Sequence, residues 1–384
     1  MASSLSSTHA SGPAAPIGVG IVGLSTRGGW ASRAHVPALA ALPAAYELRA
    51  LSASSAATAK AAGEKFGVPL AFGSVEELVE RDEVNLVVVT VKVPHHQKLV
   101  TSALAAGKTV LSEWPLGNGT AEAEEMAAFA HARELRGFVG LQARSAPPVR
   151  YLRDLVADGY VGEVLSTSVV ASGGAWGPTF DDSSAYLIDR DNGATMLTIP
   201  LGHTLDGLAS VLGSFTELSA TTATRRSPVR HQQTGKLAPM TAEDQIAVTG
   251  TLESGAVASV HYRGGKSRST NFLWEINGTE GDVLVTSDLG HLQYGLVSIH
   301  GARGASNELV ELPVPDRYEA RFPALAELRG TMAHSVAHAY GQLHDDLIEG
   351  THTVPDFDHS TRQHRLLDQI QKAAATGERQ RLTS

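Results

Sequence analysis

Cysteine is absent from all 384 residues. That excludes disulfides, thiolate nucleophiles and every zinc or iron–sulfur site built on thiolates. No uninterrupted apolar run reaches the roughly 18 residues a membrane-spanning helix needs, although 42% of the chain is hydrophobic. Positive charge is in deficit: 31 Lys and Arg stand against 40 Asp and Glu, a net charge of −9. A generalised basic surface for nucleic acid is thereby excluded. Arg225, Arg226 and Arg230 form only a small basic cluster with no interleaved aromatics. Residues 1–16 are rich in Ser and Ala but lack a basic segment leading into an apolar core. They read as a disordered start and not as a signal peptide. The expectation is a soluble cytoplasmic protein without membrane or nucleic-acid partners, and its length suggests two domains.

What is present begins with Ile17–Trp30, IGVGIVGLSTRGGW. An apolar, β-branched run breaks into a small-residue turn and then into a chain that can start a helix. That is how a dinucleotide site opens, with backbone N–H groups of the turn facing a pyrophosphate at the helix start. A literal G-x-G-x-x-G lies at Gly18, Gly20 and Gly23, but its first two glycines fall within the strand. The better frame is Gly23-Leu24-Ser25-Thr26-Arg27-Gly28. Gly23 makes the tight turn, Ser25 stands where phosphate must approach, and Gly28 or Gly29 lets the helix pack close to the strand. The alternative is a glycine-rich strand end with no ligand.

The remaining pattern favours the ligand. Ile17–Val22, Tyr46–Leu51, Asn85–Val91, Thr109–Ser112 and Gly137–Leu141 read as strands, Asn85–Val91 as one covered on both faces. Between them, helical spacing runs over Trp30–Leu42, Ser55–Phe66, the segment opened by the Ser74–Glu77 capping box, Pro94–Ala106 and Thr120–Glu134. This alternation predicts an α/β Rossmann domain over 17–145, a doubly wound parallel sheet whose ligand binds at the carboxyl ends of its strands. From 146 to 384 the pattern changes. Helix Pro147–Asp158 and strand Val164–Ala171 lead into long alternating strands. Hairpin signals stand at Glu253-Ser254-Gly255 and Asn277-Gly278. This predicts an α+β substrate and dimerisation domain with an open, mainly antiparallel sheet. Helices Tyr186–Leu212 and Glu327–Glu349 are expected to cover one face, and Ala373–Ser384 to fray.

Four segments carry a resemblance: IVGLSTRGGWA at the first turn, VVVTVKVPHH and LSEWPLG at two strand ends, and LGHTLD in a helix. In this order they resemble the glucose–fructose oxidoreductase/inositol dehydrogenase family, Gfo/Idh/MocA, over nearly the whole chain beyond residue 16. GIVGLS, GW, EW, LQ-x-R, GHT-x-D and GGK are closest to its branch of fungal galactose-regulon repressors. The resemblance implies a Rossmann domain paired with an open-sheet domain, and a nicotinamide pointing into the cleft between them. The family's usual activity is hydride transfer with a sugar or cyclitol carbon. The repressor branch instead binds the dinucleotide and acts through protein contact. The implied cofactor contacts are Gly23, Leu24, Ser25, Arg27, Gly28, Gly29, Trp30, Ser52, Ser54, Val91, Lys92, His96, Glu113, Trp114, Gln142 and Arg144.

Two family catalytic groups are missing. Glu113-Trp114-Pro115 replaces a Glu-Lys-Pro motif, and an indole N–H cannot exchange a proton. Four residues before His203, where the family places Asp, stands Ile199. His203 remains as the proton donor, with Lys92 as a substitute carrier. The alternatives are a helix histidine bonded to a carbonyl and a solvated loop lysine. Arg144, Tyr186 and Lys266 are further polar candidates. Asp181, Asp182, Asp189 and Asp191 are loop carboxylates that could bound a polyol pocket, and Trp176 is a sugar-stacking wall or a loop anchor. Leu51–Ser55 holds no acid to select NAD(H), and Arg27 could pair with a phosphate, so NADP(H) is expected over NAD(H). His334 and His338 share a helix face, but no Glu follows the first, so no metal is expected. A homodimer through the open sheet is the expected assembly.

Overall fold

The computed structural model describes residues 15–382. Residues 1–14, most of the stretch expected to be disordered, and residues 383–384 lie outside the described residues.

The first half follows the predicted alternation, with one further edge strand, Leu70–Phe72, that the sequence pattern did not mark. Strands β1 (Ile17–Val22), β2 (Tyr46–Ser52), β3 (Leu70–Phe72), β4 (Leu86–Val89), β5 (Thr109–Glu113) and β6 (Gly137–Gly140) form a six-stranded parallel sheet. Its order, β3-β2-β1-β4-β5-β6, reverses at β1/β4, which opens the ligand crevice beyond their carboxyl ends. All four residues of β4 are buried, as in a strand covered on both sides. Gly18 and Gly20 serve the strand: a β-carbon would meet Glu83 O at 1.8 Å in one and Leu78 Cδ2 at 2.8 Å in the other.

The connecting helices are α1 (Val36–Ala40), entered through a π-helical turn at Ala31–His35, α2 (Ala56–Phe66), α3 (Val75–Val79), α4 (His96–Ala105) and α5 (Thr120–His131). Ser74 caps α3 by accepting from Glu77 N, as the capping box predicts, and Ser55, expected inside the helix, caps α2 by accepting from Thr58 N.

In the second half, α6 (Pro147–Ala157), β7 (Val164–Gly173), β8 (Thr179–Phe180), α7 (Gly202–Leu212), β9 (Phe215–Ala223), β10 (Val229–His231), β11 (Leu237–Ala238), β12 (Gln245–Leu252), β13 (Val257–Gly264), β14 (Phe272–Gly278), β15 (Gly281–Ser287), β16 (Val297–Arg303), β17 (Val310–Glu311), α8 (Ala333–Ile348), α9 (Phe357–Thr376) and β18 (Gln380–Arg381) follow in order. A nine-stranded open sheet runs β17-β16-β15-β14-β7-β13-β12-β9-β18. It is antiparallel except for the parallel β7/β13 pair. One face carries Ile246, Val248, Val260, Tyr262, Trp274 and Ile276, all buried. The other carries Ser168, Thr249, Ser259, His261 and Glu275 together with Val170, Val257, Leu273 and Leu284, a mixed polar and apolar surface.

Several expectations are corrected. Tyr186–Leu212 is not one helix. Gly193, at φ 68°, ends a short 3-10 turn, and Pro200, lacking an N–H, sits in a π-helical turn before α7 begins. Glu327–Glu349 begins as a helix only at Ala333, after Gly330 at φ 76°. The second hairpin turns at Thr279-Glu280, because Asn277 pairs with Asp282 and Asn277-Gly278 belong to β14. Gly278 is needed for close approach, since a β-carbon would lie 2.1 Å from Val161 O. Ala373 is buried in α9, and Gln380 pairs with Leu218 of β9, so this stretch does not fray through residue 381.

The largest correction concerns cover. α8 does not lie on the open sheet. Its Val336, Ala337, Tyr340 and Leu343 share a core with Val19, Ile21, Leu39 and Val88 of the parallel sheet's layer. α9 touches both halves: Arg365 donates to Glu124 of α5, and Gln363 Nε2 donates to Gly202 O at the start of α7. The open sheet's buried face is covered chiefly by α7 and α9, with α6 toward β16.

Candidate functional site

The site begins at the turn after β1. Gly23 has φ 102°, and a β-carbon there would stand 2.8 Å from Val91 Cγ1. Gly28 and Gly29 also have positive φ, 87° and 133°. They do not serve close packing, as the motif suggests: nothing lies within 4 Å of a β-carbon at Gly29, and only the Arg33 side chain does at Gly28. Their role is backbone conformation, which lets a long turn deliver Trp30 and Ala31 as a helix start.

Two cavities meet at this turn, sharing Gly23, Ser25 and Val91. One, of about 430 Å³, is lined by Leu24, Arg27, Ser52, Ser54, Thr58, Glu76 and Lys98. Two cations and one carboxylate therefore face the end where an adenosine ribose would lie. The other, of about 700 Å³, occupies the cleft between the domains. Gly28, Gly29, Trp30, Thr90, Lys92, His96, Glu113 and Trp114 line it from the first domain; Trp176, Tyr186, Ile199, Pro200, His203, Lys266 and Asn271 line it from the second.

Trp114 fills the lysine position without offering a proton. Its Nε1–H donates to Thr198 O at 2.6 Å, and its ring packs 4.7 Å from that of His364. Gly202 permits this, because a β-carbon there would stand 2.8 Å from Trp114 Nε1. Lys92 projects into the cleft with Nζ 4.8 Å from the Tyr186 ring centroid, a cation–π contact. His96 is buried and turned into the protein, with Nδ1 3.0 Å from Pro115 O and Nε2 3.0 Å from Val91 O. Burial lowers its pKa, against the pull of those carbonyls. Glu113 Oε1 accepts from His35 Nε2 at 2.9 Å, and His35 Nδ1 stands 2.8 Å from the Tyr340 hydroxyl. A buried chain of polar groups thus runs from the cleft floor to α8.

His203 is fully enclosed, and its Nδ1 has no partner. Burial pushes its pKa down to about 3; Asp206 pulls it up and His291 adds to the fall. It enters the site as a neutral imidazole. That form does not carry the proton that the donor role read from the sequence requires before ligand binds. Neutral imidazole is the form that accepts a proton.

Gln142 and Arg144 stand outside the cleft. Gln142 lines a small cavity behind Glu113, with both amide atoms unpartnered. Arg144 Nε donates to Asp206 Oδ2 at 3.1 Å, and His359 Nε2 lies 2.6 Å from Asp206 Oδ1. Burial raises the Asp206 pKa, but Arg144, His359 and His203 outweigh it and hold the carboxyl below its usual range. Asp206→Ala leaves the Arg144 guanidinium without its buried counter-charge and His359 Nε2 without its partner. It is expected to destabilise the fold by about 3 kcal/mol in urea unfolding at pH 7.

The loop carboxylates do not line the cleft. Asp181 accepts from Ser183 and Ser184, Asp182 pairs with His231, and Asp189 accepts from Asp191 N and Thr241. Arg226 Nη1 donates to Gly264 O and Arg230 Nη1 to Gly235 O, while Arg225 and Arg226 also donate backbone N–H groups to Asp244. Trp176 both lines the cleft and anchors its loop, donating Nε1–H to Leu187 O at 2.9 Å.

Sequence reasoning missed the loop after β15. Asp288, Gly290, His291, Gln293 and Tyr294 enter the cleft from it. His291 is buried, with its pKa pushed down to about 4. Tyr294 packs 5.6 Å from the ring of Trp30 across the domain boundary. Gly290 lets this loop lie against β7, since a β-carbon there would meet Ser172 O at 1.8 Å.

A glycine turn at a parallel-sheet switch point, opening into a cleft closed by an open-sheet domain, defines a two-domain nicotinamide-dinucleotide-binding protein. Residues 17–141 match the oxidoreductase family with NAD-binding Rossmann fold, and residues 147–287 match the Gal80p C-terminal domain. The chain thus pairs a first domain that matches the Gfo/Idh/MocA oxidoreductase model with a second that matches the Gal80p C-terminal domain, and it is similar to both dehydrogenases and Gal80 regulators. Dehydrogenase aclE of Aspergillus oryzae is 39% identical over 180 residues, 46% of this chain and about half, 49%, of that protein's length. The galactose/lactose metabolism regulatory protein GAL80 of Saccharomyces cerevisiae is 27% identical over 316 residues, 77% of this chain and 72% of its own. The crystal structure of a super-repressor mutant of Gal80p from the same yeast superposes with a TM-score of 0.85 at 22% identity, covering 96% of this chain and 98% of that one. Among the described residues no helix is long and apolar enough to cross a membrane.

Proposed function

We propose that this chain is an NAD(P)-dependent oxidoreductase acting on a hydroxyl- or oxo-bearing carbon of a small molecule. The observation that carries the reading is the continuity of the glycine-turn groove with a cleft that holds ionisable groups. The residues fit a dinucleotide: the turn from Gly23 to Gly29 and the helix start at Trp30 would hold its pyrophosphate, and Ser54 with Arg27 its adenosine end. Bound there, the coenzyme supplies a hydride donor or acceptor. Lys92 takes the proton-carrying part left by Trp114, and neutral His203 accepts or orients the substrate hydroxyl. Trp30, Trp114, Trp176, Tyr186 and Tyr294 give the cleft aromatic walls, which suit a substrate with an apolar ring face better than a fully hydroxylated sugar. Two copies are proposed to pair through the open sheet; sedimentation at micromolar concentration as a single chain would refute that part.

Arg27 and Lys98 face the adenosine end and β2 ends without a carboxylate, which supports NADP(H) over NAD(H). NADPH is expected to bind about 10-fold more tightly than NADH, with Arg27→Ala erasing that difference, worth about 1.4 kcal/mol. Fluorescence titration with both coenzymes checks it, and equal affinities in the unmodified chain would overturn the preference.

A second reading has its own support. The indole at Trp114 and the aliphatic Ile199 stand where the family keeps a lysine and an aspartate, and aclE and GAL80 carry the names of an enzyme and a regulator respectively. A dinucleotide-binding regulator without turnover would keep the groove and lose those groups. NAD(P)H absorbance against a panel of ketones, aldehydes and alcohols separates the two. Turnover that falls about 10²–10⁴-fold in His203→Ala and Lys92→Met supports the enzyme. Tight binding with no consumption across the panel supports the regulator.

A further inference from the structure

We infer that Glu319, His334 and His338 form a divalent-metal site, best suited to Zn²⁺, that ties the 316–329 connector to α8. The site lies apart from the coenzyme groove. One donor atom from each residue lies within 4.8 Å of the others, and all three residues are buried. His334 and His338 are four residues apart on α8, so both imidazoles project from one face of the helix. Their rings stand 4.9 Å apart, nearly perpendicular.

The two Nε2 atoms are the decisive observation. Both are buried and neither has a hydrogen-bond partner. Glu319 Oε1 lies 3.7 Å from His334 Nε2, too far for a hydrogen bond. Buried nitrogens left without partners are costly and rare. Two such imidazoles gathered with one carboxylate are explained together by a cation between them. Burial keeps both imidazoles in the neutral, ligating form.

The coordination is chemically complete enough to argue. Two imidazole nitrogens and one carboxylate oxygen, with water in the fourth position, are a common Zn²⁺ donor set. Tetrahedral ligands about 2.0–2.2 Å from a metal stand about 3.4 Å apart, so separations of up to 4.8 Å require the side chains to close by up to about 1.4 Å. Arg329 donates Nε to Glu319 Oε1 at 2.8 Å and Oε2 at 3.1 Å. That contact orients the carboxylate as an outer partner does in metal sites. Arg329 is half exposed, so water screens its charge, while the Arg150 guanidinium adds a further positive field near His338. These two cations set the affinity at a moderate level. The sequence signal was half visible: the two histidines show the spacing, but the carboxylate comes from upstream of the helix.

The test uses the full chain without an affinity tag, stripped with a chelator and then titrated with Zn²⁺ or Co²⁺. One equivalent per chain is expected at micromolar or tighter affinity, with a thermal midpoint raised by about 2–5 °C at saturation. Bound Co²⁺ should show the visible absorption of a four-coordinate ion. Glu319→Gln and His338→Gln should each weaken binding at least about 10-fold. Absence of stoichiometric binding to the unmodified chain overturns the site, as does binding that neither variant changes. The unmodified chain alone decides the first outcome if a variant fails to fold.

Discussion

Gly23→Val is expected to weaken binding of either nicotinamide dinucleotide at least about 100-fold, close to 3 kcal/mol. Two effects act at once. The residue has φ 102°, a backbone region that β-branched side chains scarcely enter. A β-carbon would also press to 2.8 Å from Val91 Cγ1 and 3.1 Å from Thr90 Oγ1. Val91 and Thr90 leave the end of β4, so the turn has to lift away from the sheet, and its N–H groups would leave the positions a pyrophosphate needs. Gly29→Ala separates the two effects: φ is 133° but nothing lies within 4 Å of the new β-carbon. Its loss should be smaller, about 10-fold. Titration calorimetry on variants with unchanged far-ultraviolet circular dichroism gives the comparison. Wild-type affinity in Gly23→Val would remove the groove from the functional account.

The second large effect is a loss of stability in weak acid. Burial is the main cause that pushes His203 to about 3, His291 to about 4 and His364 to about 4. All three are neutral in the folded chain, whereas in the unfolded chain they titrate near 6.5. Between those values the unfolded state binds more protons. Their contribution is therefore complete above pH 6.5 and is lost as pH falls from 6.5 toward 4. The limiting slope is about 1.4 kcal/mol per pH unit for each histidine. Allowing for partial rehydration, a drop of about 3 kcal/mol or more is expected between pH 7 and pH 5. Asp206 acts lower on the scale: its carboxyl sits below its unfolded value, so its contribution fails only below about pH 4. Urea unfolding at half-unit pH steps measures the slope. A flat profile from pH 7 to 5 would contradict the neutral burial of these side chains.

Much of the architecture was legible because local chemistry and tertiary need agreed. The buried run of β4, the Ser74 cap and the Glu253–Gly255 hairpin each state their structure in a few residues. Failures came where a distant partner decided the outcome. Pro200 and Gly193 break a helix whose apolar spacing is sound, and α8 is amphipathic without saying which sheet it will meet. The first-domain wall of the site was legible for a related reason: strand ends fix where Gly23, Lys92 and Trp114 point. Gln142 and Arg144 share that logic by position, yet their side chains turn away, one into a small cavity and one to Asp206. His291 and Tyr294 were not legible, because nothing local marks a hairpin loop as reaching another domain.

The return of α8 onto the parallel sheet makes the halves inseparable as pieces. A truncated gene ending near residue 145 would encode a sheet whose Val19, Ile21 and Val88 layer lacks Val336, Tyr340 and Leu343. Such a fragment should aggregate on expression, however complete its nucleotide turn. Recombining the first half with a cousin's second half should succeed only when residues 333–376 travel with it.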